Sequence, residues 1–250
     1  MPPAFRAYPE LIWLPGFNRQ GIAEFHIGAA PLAPDVEVDF AHDFGFYTID
    51  AMIPAIVLAA GKSTRMGRSK AALPLPGGDT FITRIVRTFK MASVDDVVVV
   101  IGHDATSVVE AFAASDLEAR FVENLDYEQG QLSSLLAGLT VVDRPGVVAA
   151  LVTLVDVPLV SAATVRAVID RYHETRAPVV RPVRGIQHGH PVLIDRSLFE
   201  ALRRADPSAG AKSVIRAHAS SAGDVAVDDD GAFADADTPE EYERMRSERT

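Results

Sequence analysis

The chain has 250 residues, 48% hydrophobic and 23% charged, with 34 acidic against 24 basic side chains and a net charge of −10. That balance supplies core for one large α/β domain or two small ones and argues against general nucleic-acid binding, which requires a basic face. The absence of cysteine excludes disulfides, cysteine–zinc sites and thiol nucleophiles and suits a cytoplasmic setting. No apolar run reaches the roughly 18 residues that cross a bilayer, and no signal-peptide pattern opens the chain.

Composition shifts near residue 52. Residues 1–52 hold seven acids, two bases and nine of the eighteen aromatic residues, among them Trp13, Phe17, Phe40 and Tyr47. This segment carries no motif and reads as an N-terminal extension, with Met52 as an alternative start directly before the first strand. Residues 53–250 form the expected domain. Strands are expected at 54–59, 96–101, 120–122, 147–155, 178–183 and 190–194, with a weaker one at 224–227. Helices are expected at 80–92, 104–114, 131–142, 161–174, 196–204, 210–218 and 239–248. Strands alternating with helices of 10–15 residues imply βαβ units and a mostly parallel sheet.

The run Ala55–Ala59 reads as a strand buried on both faces, followed by a glycine-containing loop with Lys62, Arg65, Arg68 and Lys70, four cations in nine residues. Small residues at a strand's carboxyl end let backbone N–H groups approach phosphates, so the pattern predicts a nucleotide-phosphate site. The bland alternative is a basic strand-to-turn connection. Gly61-Lys62-Ser63 looks like the end of a P-loop, but that motif needs a glycine where Ile56 stands. Further along, Gly102 ends a strand on the same sheet edge, where backbone groups could read a base. Gly130 leads into a helix whose first turns carry Ser133 and Ser134, either an anion site or simple capping.

Strand 147–155 runs into Asp156-Val157-Pro158. A carboxylate at that edge, facing a phosphate loop, calls for a cation between them, and Mg²⁺ takes one or two carboxylates plus phosphate oxygens. The alternative for Asp156 is a cap on the helix near Ser161. Asp235 and Asp237, two apart in Asp235-Ala236-Asp237-Thr238-Pro239-Glu240, would project to one side of an extended segment. The plain alternative is a solvated acidic loop, with Asp237 or Thr238 as the cap of the helix that begins at Pro239. Asp228-Asp229-Asp230-Gly231 reads as a turn without metal. His188 and His190 flank a glycine with no third ligand at useful spacing.

Leu58-Ala-Ala-Gly-x-Ser-x-Arg-Met-Gly-x-x-Lys70 resembles the signature loop of the MobA-like nucleotidyltransferases, most closely the molybdenum cofactor cytidylyltransferases, and the resemblance extends over about residues 53 to 245. It implies a three-layer α/β fold with a mostly parallel Rossmann-like sheet of the nucleotide-diphospho-sugar transferase (GT-A-like) type. It also implies nucleotide contacts at Leu58, Ala59, Ala60, Gly61, Lys62, Ser63, Gly102, Gly130, Ser133 and Ser134. Asp156 would ligate magnesium with Asp235 or Asp237, and His190 of the Gly-His-Pro-Val-Leu element would face the acceptor. The implied reaction is attack of an acceptor phosphate on the α-phosphorus of a nucleoside triphosphate, with release of pyrophosphate. Arg65, Lys70 and Asp156 would be catalytic: Arg65 on the β/γ-phosphates and Lys70 on the α-phosphoryl group. Ala59-Ala60-Gly61, in place of the Ala-Gly-Gly usual in guanylyl enzymes, points to CTP over GTP. Gly-His-Pro-Val-Leu points to a molybdopterin-type acceptor, with a molybdoenzyme or its maturation factor as protein partner. Gly130-Gln131, where the family often shows Gly-Met, is a departure. The rivals are a sugar-phosphate or phospholactate nucleotidyltransferase of the same fold and a non-catalytic nucleotide-binding or cofactor-delivery protein.

Overall fold

The chain divides into two units, Met1–Tyr47 and Thr48–Thr250. The computed structural model describes residues 51–63 and 66–247, all within the second unit. Nearly all of the expected extension, and Arg65, lie outside the described residues.

Strand β1 (Ala55–Leu58) is buried at every position, and its pattern has a simple cause. Ala55 and Val57 face one apolar cluster, continued by Ala59; Ile56 and Leu58 face another, continued by Ala60. Helices cover both sheet faces, so the strand shows no polar alternation. The first face is covered by α1 (Phe81–Met91), α2 (Ala105–Ala113), α4 (Ala162–Thr175) and α7 (Pro239–Ser247). The second is covered by α3 (Gln131–Val142) and α5 (Phe199–Arg203), with α6 (Gly210–His218) packed partly against it. Strand β2 (Val97–Ile101) is likewise buried throughout. Each of its valines contributes about 1.5–3 kcal/mol of burial, an upper bound because unfolded chains are not fully extended.

The other strands are β3 (Arg120–Glu123), β4 (Ala149–Leu154), β5 (Val179–Arg184), β6 (Gln187–His188), β7 (Val192–Asp195) and β8 (Asp224–Ala226). The sheet order is β3-β2-β1-β4-β7-β5-β6, with β8 pairing on β5. β3, β2, β1 and β4 are parallel. The chain steps outward from β1 to β2 and β3, then returns to place β4 on the other side of β1. The order therefore reverses between β1 and β4, and ligands of open α/β sheets bind outside the carboxyl ends at such a point.

The predominantly parallel sheet is as expected, but β7 departs from it by running antiparallel to both β4 and β5. Only residues 185–191 separate β5 from β7. A parallel crossover needs a dozen or more residues, so this connection permits only an antiparallel return. The expected helix 196–204 is a 3-10 turn, Arg196–Leu198, followed by the short α5.

Candidate active site

The loop after β1 is built around Ser63. Its φ of 49° places it in the left-handed region, a strain of order 1–3 kcal/mol that persists only where neighbours enforce it. The Ser63 carbonyl accepts the Met66 and Gly67 N–H groups at 2.9 and 3.2 Å. Its hydroxyl accepts the Lys70 N–H at 3.2 Å. This folds the loop back and carries Lys70 into the sheet edge, where its side chain is 11% exposed. A Cβ on Gly61 would meet nothing within 4 Å. The space beside that backbone opens onto the cleft.

Lys70 Nζ lies 2.6 Å from Asp237 Oδ1 and 3.4 Å from Asp156 Oδ2. Three residues spread over 167 positions of sequence thus meet at one point. Asp156 reaches it from the end of β4. Asp237 is delivered by main-chain contacts: the Ala236 N–H donates to the Asp156 carbonyl at 2.9 Å. The Glu241 carboxylate then accepts the N–H groups of Asp237 and Thr238, both at 2.9 Å, and the Thr238 hydroxyl accepts the Glu241 N–H at 3.3 Å. Thr238 is therefore the cap of α7, with Pro239 at its first position. Asp156 does not cap α4. Ser161 does, with Asp229 accepting the Ser161 N–H and the Thr164 hydroxyl at 2.9 and 2.6 Å. The turn at Asp228–Gly231 thus anchors α4.

Burial pushes the Asp156 carboxyl above its ordinary pKa; Lys70 opposes this and the nearby Asp237 charge adds to it. Its Oδ1 is buried without a hydrogen-bond partner. An orphaned, desolvated carboxylate oxygen beside a second carboxylate has the donor chemistry a hard divalent cation requires. Among the described residues no group of three or more histidine, aspartate or glutamate side chains could by itself hold a metal. Two carboxylates would have to be completed by substrate oxygens, as is usual for Mg²⁺. Asp235 is exposed, and it stands close enough to His190 to favour that imidazole's charged form. Asp237, rather than Asp235, is the residue brought to Lys70.

The cleft above this cluster has a volume of about 320 Å³ and is lined by Leu58, Ala60, Gly61 and Ser63 on one side and by Tyr127, Gly130, Gln131 and Ser134 on another. Ser134 is buried and accepts a hydrogen bond from Asn124 Nδ2 at 3.0 Å. Ser133 does not line the cleft; it accepts from the same amide at 2.9 Å and reaches the Asp126 and Gly130 carbonyls at 2.9 and 2.8 Å. Gly130 has a φ of 101° that favours glycine. Gly102 has a packing role: a Cβ there would fall 2.9 Å from both the Ala60 and Tyr127 Cβ atoms. Lys62 extends over the Tyr127 ring and pairs with Glu128 at 2.5 Å, joining the two sides of the cleft. His190 lies outside this cleft, its N–H donating to the Ala232 carbonyl at 2.9 Å and its ring Nδ1 3.5 Å from the Val152 carbonyl. Burial lowers its pKa.

Sequence reasoning missed Tyr127 and Asn124 as working residues. Asn124 carries the clearer signal, since a buried amide must find partners, and here it orders both serines.

An open α/β sheet with a cationic glycine loop and a lysine–carboxylate cluster at its switch point defines a protein that handles nucleotide phosphates. The chain belongs to the MobA-like NTP transferase domain family, which matches residues 55–222, and is by that membership a nucleotidyltransferase. It is 30% identical over 200 residues to the nicotine blue oxidoreductase of Paenarthrobacter nicotinovorans, covering 77% of this chain and 96% of that protein. A probable molybdenum cofactor guanylyltransferase of Mycolicibacterium paratuberculosis is 30% identical over 152 residues, 61% of this chain and 74% of its own. Among solved structures, Rv0371c of Mycobacterium tuberculosis superposes with a TM-score of 0.64 at 30% identity, covering 79% of this chain and 98% of that one. Its complex with manganese superposes at 0.61 and 29% identity, covering 80% of this chain and 100% of that one.

Proposed function

We propose that the chain transfers a nucleoside monophosphate from a nucleoside triphosphate to the phosphate of a molybdopterin-type acceptor, releasing pyrophosphate. The observation that carries this reading is the meeting of Lys70, Asp156 and Asp237 beside the Gly61 backbone, with Asp156 Oδ1 buried and unpaired. One P–O bond forms between the acceptor phosphate and the α-phosphorus, and the bond to the β-phosphate breaks. No general base is required, because the acceptor phosphate is already anionic near neutral pH.

Each residue has a task in that exchange. The Gly61–Ser63 backbone receives the phosphates. Lys70 offsets charge developing on the α-phosphoryl group. Arg65, in the same loop, takes the β/γ-phosphates with its planar fork. Asp156 and Asp237 would hold a divalent metal, Mg²⁺ in this reading, which when bound orients phosphates and offsets their charge; the manganese complex of Rv0371c supports a divalent ion. Positioning and electrostatics supply the catalysis, as in phosphoryl transfer generally.

CTP is the triphosphate that Ala59-Ala60-Gly61 favours, whereas a relative named as a guanylyltransferase speaks for GTP. Pyrophosphate release with CTP, GTP, ATP and UTP, each offered with molybdopterin, glucose 1-phosphate or phospholactate, tests base and acceptor together. Release with CTP and molybdopterin is expected. Release only with a sugar phosphate or phospholactate would replace the acceptor; triphosphate binding without release from any pair would favour the non-catalytic rival. A relative named as an oxidoreductase makes the pyrophosphate measurement more informative than family membership alone.

A further inference from the structure

Of the cations in the loop after β1, Lys62 is exposed where it pairs with Glu128, whereas Lys70 is buried between two acids. Its Nζ stands 2.6 Å from Asp237 Oδ1 and 3.4 Å from Asp156 Oδ2. The backbone on either side is pinned. The Lys70 N–H donates to Ser63 Oγ at 3.2 Å, and its carbonyl accepts the Leu73 N–H at 3.0 Å. Only the side-chain stem is left to turn. Lys70, Asp156 and Asp237 line the nucleotide cleft together, beside Gly61 and Ser63. The two carboxylate oxygens that converge here are the pair a bridging metal needs, and the ammonium already holds them.

Asp156 and Asp237 can bridge a divalent cation, at the roughly 2.1 Å that Mg²⁺ demands, only after the ammonium leaves these oxygens. An ion and an ammonium side by side in a buried site also repel each other strongly. Asp156 Oδ1, buried and without a hydrogen-bond partner, offers one ligand by itself and does not resolve the conflict. A triphosphate does. Its oxygens give the ammonium another partner in the same cleft, and a point charge on a flexible stem can follow them. We infer that Lys70 is a specificity-determining residue for the metal: it bars the free ion from Asp156 and Asp237 and admits it only together with a triphosphate. The inference rests on the nucleotidyl-transfer reading for the triphosphate and adds the order in which the two cations exchange. Such coupling is reciprocal, so metal and triphosphate each strengthen binding of the other.

The test measures Mn²⁺ binding to the full chain, first without nucleotide, from the electron paramagnetic resonance of the free ion. Wild type should bind the ion weakly. Lys70→Met keeps the apolar stem, removes the charge and should bind Mn²⁺ about tenfold more tightly, the size of one charge-assisted contact no longer in competition. Lys70→Ala should bind as Lys70→Met does, and it should respond to a small copy of the lost group. Added methylammonium should weaken its Mn²⁺ binding, whereas tetramethylammonium at equal ionic strength, with no N–H to donate, should not. CTP should raise the Mn²⁺ affinity of wild type by a larger factor than that of Lys70→Met. The inference is overturned if wild type binds free Mn²⁺ as tightly as Lys70→Met, if the two ammonium salts act alike, or if CTP raises both affinities by the same factor. Failure of nucleotidyl transfer would look different: no pyrophosphate from any pair, with the Mn²⁺ pattern intact.

Discussion

At the scale of single residues, Lys70 and Asp156 separate chemistry from stability. Lys70 is buried and held between two carboxylates, so its charge is positioned before any substrate arrives. Removing such a preorganised charge costs about 100-fold or more in turnover, and Lys70→Ala should show that loss in pyrophosphate release. Asp156→Asn should lose turnover to a similar degree but not stability. Because burial raises the Asp156 pKa in the folded state, its ionised form opposes folding above that pKa and adds no penalty below the ordinary carboxylate range. In chelator at pH 7, the Asn variant should therefore melt at or above the wild-type temperature, and the difference should close in acid. A lower melting temperature at pH 7 would show that the carboxylate is structural. Asp235 and Asp237 illustrate what spacing alone leaves open. Both were equal candidates until the Ala236 N–H, bonded to the Asp156 carbonyl, set which neighbour meets Lys70.

At the scale of elements, α3 is pressed against the sheet beneath the nucleotide cleft. A Cβ at Gly138 would fall 2.6 Å from Ile56 Cγ2 and 3.1 Å from Val100 Cγ2, both on buried strand residues. Gly138→Ala would gain about 1 kcal/mol of helix propensity, against about 1–3 kcal/mol for overpacking a filled core. The clash should win, with a lower melting temperature in calorimetry; an unchanged or higher one would show that α3 can slide. The other end of α3 is fastened by Asp143, which accepts Arg196 at 2.8 Å and Arg203 at 2.6 Å. Hydrogen bonding from Arg203 leads in holding the Asp143 pKa down, and Arg196 adds to it against the cost of burial. A depressed carboxylate stabilises the fold above its unfolded-state pKa, and that support disappears as pH falls through the folded-state value. Asp143→Asn should therefore melt below wild type at pH 7, with the gap narrowing in acid.

At the scale of the molecule, a strongly acidic chain gathers its cations where polyphosphate should enter. The loop 62–70 holds four of them, while carboxylates elsewhere leave the net charge at −10. Attraction of a triphosphate then depends on a local field, which salt screens over about 10 Å at 0.1 M. The KM for triphosphate should rise about threefold or more between low and physiological ionic strength, with kcat less affected; a flat KM would remove long-range attraction from the account. Among the described residues no helix is long and apolar enough to cross a membrane.

The strand–loop–lysine pattern, the acid closing β4 and the mostly parallel α/β sheet were legible because each depends on short-range periodicity, punctuation and charge, whereas the three-layer class rested on the resemblance of the Leu58–Lys70 loop. Sequence alone therefore determined which chemical groups are present and on which kind of element each sits. Tertiary structure decided the rest: the antiparallel insertion of β7, the packing use of Gly102, the Lys62–Glu128 pair and the Lys70–Asp237 contact. Those features join residues tens of positions apart, through contacts that have no periodic trace in the chain. They follow from how strands order themselves and which surfaces must be buried together, a property of the whole packing and not of any segment within it.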